Sequence, residues 1–292
     1  MIGRAALFTP ANIPGMINAT VAVGSDSIIF DLEDSVPLEE KDAARILLRE
    51  ALKSLDFLKE KKVIIRVNEP TTDFFDADIA EVVPLGNYPL ILPKASVASI
   101  VTADKKLKKI EGNYGLDYQV SLIPTIETPL GIESVNEILK SSGRITGVNF
   151  GAEDFTTEMG VARLFEDNQL LYARSRIAIA ARAADVEAMD TPFPDIDDIE
   201  GLKKEATIAR QLGFTGKMAI HPSQIDTIHG IFTPPQQEID NALKIVKAFA
   251  EAEKVGKGAV VVDGKMVDLP VFRRAQMVLR KSGMLAWDKL ND

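Results

Sequence analysis

The chain has 292 residues, 46% hydrophobic and 26% charged, which is ample for one large core and excludes a disordered or fibrous molecule. With no cysteine and only His221 and His229, disulfides and thiolate metal sites are excluded, and a histidine-rich zinc site is not expected. A net charge of −9 without a concentrated basic block argues against nucleic acid or an anionic membrane as partner. No run approaches the ~18 apolar residues of a membrane helix, and MIGRAALFTP carries no signal-peptide core, so a soluble, unprocessed, cytoplasmic protein is expected.

Apolar, β-branched runs closed by turn signals alternate with segments of helical spacing. Residues 5–8 form the first run, followed by a predicted helix over 14–23. Residues 27–32 form the second, ending in Glu33 and Asp34, with a helix over 39–52 behind it. The third, 62–67, carries Arg66; the fourth, 90–92, closes on Pro93 and Lys94, and 97–110 continues as a helix. Runs five and six are 119–126 and 145–150, and between them Ile132, Val135, Ile138 and Leu139 follow helical spacing. A polar loop is expected over 156–168, then an alanine-rich helix over 170–184, a strand over 186–189, a helix over 198–212 and a strand over 217–220.

Eight strands alternating with helices predict a closed (β/α)8 TIM barrel over residues 1–232, and no dinucleotide fingerprint or GxxxxGK phosphate loop competes with that reading. Residues 233–292 form an extension: a long helix over 235–255, a hairpin turning at Asp263-Gly264, and a final helix over 269–280. Such an appendage is expected to cover a neighbouring surface, either this chain's barrel mouth or that of another protomer.

The runs LIPTIETP (122–129) and VNFGAED (148–154) end in acid, as buried strands do when their last residue emerges into a polar site. Glu127 and Asp154 at those ends could share Mg²⁺, which takes one or two carboxylates and keeps water or substrate oxygens. The plainer reading is two strand-end acids in ordinary ion pairs. Glu153 should point the opposite way along the strand. Glu33 and Asp34 add acids from another strand end and could bind metal waters, while Asp31 reads as structural. Arg66 lies in a β-branched run, where a charge needs a partner; it meets either a bound anion or Asp31 or Glu33. Lys94 could form a Schiff base, but surrounding acids would keep it protonated. His221 could act as a base or cap a strand end, and Arg174 and Arg176 could bind phosphate or pair with Asp185 and Glu187.

In order along the chain stand DLEDSV (31–36), IRVN (65–68), LPK (92–94), IET (126–128), GAED (151–154), ARSR (173–176), HPSQ (221–224) and DGKMVD (263–268). Together they resemble the citrate lyase beta subunit and its acyl-thioester lyase relatives. The resemblance implies a Mg²⁺-dependent carbon–carbon lyase that cleaves a 3-hydroxy-acyl thioester, in the citrate case citryl on an acyl carrier protein, to oxaloacetate and an acetyl thioester. Carried over by motif, Glu127 and Asp154 would be the metal ligands, Glu127 also facing substrate, with Arg66 polarising the substrate and Glu33 and Asp34 in the outer shell. Asp268 would be the catalytic aspartate delivered to a neighbouring protomer's site in a homotrimer. Citrate lyase alpha and gamma subunits are implied as partners. The alternatives are a stand-alone malyl- or citramalyl-coenzyme A lyase, a pyruvate-type aldolase acting on free hydroxy acids, and a non-catalytic assembly subunit.

Overall fold

Strands covered on both faces read as continuous apolar runs, and here eight of them close into one parallel ring in chain order, the first pairing with the last. The computed structural model describes residues 2–164, 169–254, 256–282 and 284, in two units, 1–232 and 233–292. The strands are β1 (Ala5–Pro10), β2 (Ser27–Asp31), β3 (Val63–Arg66), β4 (Leu90–Leu92), β5 (Leu122–Ile126), β6 (Gly147–Phe150), β7 (Glu187–Asp190) and β8 (Gly216–Ala219). The intervening helices begin with α1 (Pro14–Ala19), α2 (Lys41–Ser54), α3 (Phe57–Glu60), α4 (Asp73–Val82) and α5 (Val97–Tyr114). They continue with α6 (Pro129–Glu133), α7 (Val135–Lys140), α8 (Ala152–Glu158), α9 (Leu171–Ala183), α10 (Ile199–Leu212) and α11 (Ile225–Phe232).

Alternate side chains of a barrel strand point inward and outward. Ala6, Ile29, Ile64, Ile91, Ile123, Met189 and Met218 form one buried cluster with Ile2. Their strand neighbours Leu7, Ile28, Ile65, Leu122, Val148 and Ala188 belong to the larger cluster shared with the helices. The first set therefore fills the barrel, and the second glues strands to helices at ~1.5–3 kcal/mol per fully buried large side chain. Helix α2 contributes Ala44, Leu48, Ala51 and Leu52, a single stripe. Helix α5 starts at a reciprocal Ser96–Ser99 capping box and stops at Gly115, whose φ of 62° is the left-handed cap.

The expected eight-strand ring is present; the differences lie in helices. Residues 73–82 are helical although no helix was predicted there, because Asp78 falls on the buried face beside Phe75, Ile79 and Val82 and breaks the apolar stripe. Asp78 is tolerated because Arg45 and Asn68 bond to it. The loop expected over 156–168 starts later, since α8 runs to Glu158; residues 165–168 of that expectation lie outside the described residues.

In residues 233–292, α12 (Gln236–Lys254) and α13 (Leu269–Lys281) flank a two-stranded ribbon, β9 (Val260–Val262) and β10 (Lys265–Val267). Asp263 and Gly264 both have positive φ, 48° and 75°, as a two-residue hairpin turn requires. The Phe249 and Phe272 rings stack at 4.6 Å and tie the two helices together. Val261 and Met266, opposite each other in the ribbon, are 68% and 69% exposed, leaving an apolar pair in solvent. Among the described residues no helix is long and apolar enough to cross a membrane.

Candidate active site

A pocket of about 180 Å³ opens at the carboxyl ends of the strands, where a barrel presents its functional side chains. Asp34, Arg66, Glu127, Glu153 and Asp154 line it with Phe8, Thr125, Thr191, Pro192 and Met218, so four acids face one arginine.

The last residue of β2 organises one wall. Asp31 accepts the Glu33 and Ser35 amides at 2.9 and 3.0 Å and takes Arg66 Nε and Nη2 at 2.7 Å each. Burial would raise its pKa, but this two-nitrogen grip outweighs it and holds the carboxyl below its ordinary value. The remaining Arg66 nitrogen, Nη1, lies 3.0 Å from Glu33 Oε2 and 3.5 Å from Asp34 Oδ2. The Phe8 ring lies 4.9 Å from the guanidinium carbon. Glu33 shares that single nitrogen: burial, only partly offset by Arg66 and reinforced by Asp34 and Asp31, pushes its pKa up to about 8.

The opposite wall comes from β5 and β6. Ile126 pairs with Phe150, so Glu127 sits beside Gly151. A Cβ at Gly151 would stand 2.7 Å from the Glu127 Cβ and collide with the carboxylate, so only glycine lets the side chain through. Glu127 Oε1 accepts the Lys94 amide, and Lys94 holds a left-handed φ of 47°. Burial raises the Glu127 pKa to about 7; the Lys94 amide opposes this and Asp154 adds to it. Partial burial lowers Lys94, but Asp154, Glu33, Asp34 and Glu127 outweigh it, so the ammonium is more firmly protonated than usual. That environment is unsuited to a Schiff-base lysine.

Several sequence expectations change. Asp154 is not a strand-end residue: β6 stops at Phe150, Gly151 is the N-cap, and Glu153 and Asp154 fall in the first turn of α8. They are separated by about 100° of helix rotation rather than by a strand alternation. Glu153 is exposed and pairs with Arg163, whereas Asp154 is half-buried. Two acids in the first turn after a glycine cap were a helix-start signal. Arg174 and Arg176 do not pair with Asp185 and Glu187. Arg174 is buried against Asp190 and Glu205, and Arg176 bonds the Glu133 carbonyl. His221 Nδ1 accepts the Ser223 amide at 3.2 Å as a local cap. Asp268 lies in the second unit, where it caps α13 by accepting the Val271 amide at 3.1 Å. The sequence reading missed Thr191, Asp190 and Lys217; a lysine inside a short buried run was the one visible hint.

The lining suits a hard divalent cation. Among the described residues no group of three or more histidine, cysteine or acidic side chains is arranged to hold an ion. The pocket instead offers Glu127 and Asp154, an oxygen pair of the kind that leaves coordination positions for substrate. Burial is the main cause of the raised Glu127 pKa and the Asp154 charge adds to it, and a cation bound between the two carboxylates would offset both.

A family model described as HpcH/HpaI aldolase/citrate lyase matches residues 4–222. The citrate lyase subunit beta of Leuconostoc mesenteroides subsp. cremoris is 38% identical over 279 residues, 95% of this chain and 92% of that protein. The mitochondrial citramalyl-CoA lyase of Rattus norvegicus is 30% identical over 291 residues, 94% and 85% of the two chains. Among solved structures, a CitE protein from Mycobacterium tuberculosis in complex with magnesium, acetoacetate and coenzyme A superposes with a TM-score of 0.76 at 30% identity, covering 96% of this chain and 98% of that one.

Proposed function

The chain belongs to the HpcH/HpaI aldolase/citrate lyase family, and we propose that it is a Mg²⁺-dependent carbon–carbon lyase of the citrate lyase beta type, cleaving a 3-hydroxy-acyl thioester. The observation that carries this reading is the convergence of Glu127 and Asp154 with Arg66 in one pocket at the barrel mouth. The identity to citrate lyase subunit beta over 95% of the chain and the magnesium in the Mycobacterium tuberculosis complex support it.

Cleavage removes the proton of the substrate hydroxyl, and the electron pair of the breaking bond moves into the thioester carbonyl as an enolate. Reprotonation of that enolate at carbon completes the acetyl thioester. Glu127 and Asp154 would hold Mg²⁺, which when bound polarises the hydroxy-acid oxygen and lowers the cost of losing the proton. Arg66 stabilises the enolate oxygen through Nη1. Its other nitrogens are fixed by Asp31, so the donor is aligned before charge develops. Glu33 and Asp34 stand beside Nη1 and orient water around the ion. Asp268 of a neighbouring copy takes the hydroxyl proton on its carboxylate and then gives that proton to the enolate carbon. Its place directly after a ribbon with an exposed apolar pair supports that role, in a homotrimer.

Citryl on an acyl carrier protein, with alpha and gamma subunits as partners in the cytoplasm, is the favoured setting. A second reading, a stand-alone malyl- or citramalyl-coenzyme A lyase, is favoured by the coenzyme A of the Mycobacterium tuberculosis complex. A panel of citryl, malyl and citramalyl thioesters on carrier protein and on coenzyme A, with free citrate alongside, tests the proposal on the isolated protein with and without Mg²⁺. Turnover of free citrate alone would make it an aldolase of free hydroxy acids, and turnover of none would sink the lyase reading.

A further inference from the structure

We propose that Thr191, anchored by the buried ammonium of Lys217, is the positioning residue for the Asp154 side of the ion site. The proposal rests on the reading of Glu127 and Asp154 as ligands. The Thr191 hydroxyl oxygen accepts the Ala152 amide at 3.1 Å, and both residues are fully buried. Ala152 opens α8, two residues before Asp154, so this bond fixes where the turn carrying Asp154 begins.

Thr191 is held from behind. Lys217 Nζ donates to the Thr191 carbonyl at 2.6 Å, to Asp190 Oδ2 at 2.7 Å and to Glu205 Oε1 at 2.6 Å. An ammonium has three N–H groups, and each has an acceptor here. Arg174 braces both acids, at 2.8 Å to Asp190 and 3.2 Å to Glu205. Arg163 closes the circuit: it pairs with Glu153 and donates to the Pro192 carbonyl at 3.0 Å. Two successive residues of the α8 first turn, Ala152 and Glu153, are thus tied to the two residues that follow β7, Thr191 and Pro192. All four line the pocket. A ligand borne on a helix turn moves with that turn, and Mg²⁺ tolerates little departure from octahedral geometry.

Thr191→Val keeps the shape and removes the acceptor. Calorimetric titration of the full chain with Mg²⁺ should show affinity weakened about 10–100-fold, the range for lost outer-shell partners. Hydrogen exchange at the Ala152 amide should quicken, and kcat should fall while KM for the thioester holds. Thr191→Ser should restore affinity, exchange and kcat. Arg163→Gln, which cuts the second tie, should also weaken Mg²⁺ binding, about tenfold, and serves if Thr191→Val does not fold. Wild-type Mg²⁺ affinity in Thr191→Val, or failure of Thr191→Ser to rescue, overturns the positioning role while leaving the ion site standing. A wild-type protein that binds no Mg²⁺ overturns both.

Discussion

Two clusters of buried charge lie within one barrel and behave oppositely. Around Lys217, three cations (Lys217, Arg174, Arg163) meet two buried acids (Asp190, Glu205), and Arg163 also reaches the exposed Glu153. Burial raises Asp190 and Glu205, but the cations outweigh it and both end below their ordinary pKa. Around Arg66 and Glu127, Asp31 is matched by Arg66, whereas Glu33 is pushed to about 8 and Glu127 to about 7. Depth of burial is similar in both clusters, so the contrast comes from the supply of counter-charge. A buried acid by itself marks nothing, whereas a buried acid whose neighbours are more acid marks a place built for an arriving cation.

The sharpest way to break that contrast is to neutralise each side in turn. Glu127→Gln or Asp154→Asn should abolish Mg²⁺ binding and lower kcat/KM by about 10³-fold or more, several kcal/mol of lost charge stabilisation, with the melting temperature unchanged or raised because repulsion is removed. Unaltered turnover in both would leave the pocket acids without a role. Lys217→Met should do the reverse to stability: leaving Asp190 and Glu205 short of charge should cost about 3–5 kcal/mol, read by denaturant unfolding. A loss below about 0.5 kcal/mol would show that the network is not needed for the fold. Arg66→Lys keeps the charge but cannot grip Asp31 with two nitrogens, so kcat/KM should fall about 10²-fold with little change in Mg²⁺ affinity.

The last effect is in pH. Glu33 titrates at 4.5 ordinarily and about 8 here, so the folded state binds its proton more tightly. The stability it contributes is complete below 4.5 and is lost as pH rises through about 8, with a slope of at most about 1.4 kcal/mol per pH unit for one proton. Asp190 and Glu205 have lowered values, so their contribution stands above the ordinary carboxylate range and is lost as pH falls below it. Unfolding free energy should therefore fall as pH rises from 4.5 towards 8, where Glu127 contributes as well, and fall again below the ordinary carboxylate range; Glu33→Gln should lessen only the upper loss, leaving the Glu127 part.

The barrel was readable because strands buried on both faces leave uninterrupted apolar runs, as 27–32 and 145–150 do. Asp34, Arg66, Glu127 and Asp154, singled out in the sequence, do line one pocket. The Lys217 network was hidden for a different reason. Lys217, Asp190, Glu205 and Arg174 come from β8, β7, α10 and α9, and nothing in their spacing couples them until those elements pack. The α8 start was misread because GAED after an apolar run suits a strand exit as well as a helix cap.

The left-handed turn at Lys94 has its own consequence. The group that aims Glu127 is a main-chain N–H, available from every residue type except proline. Position 94 is thus free to change its side-chain chemistry without disturbing the aim, and a glycine there would even relieve the unfavourable dihedral. A β-branched residue would be the costly choice, since the clamp survives only while the backbone can bend that way.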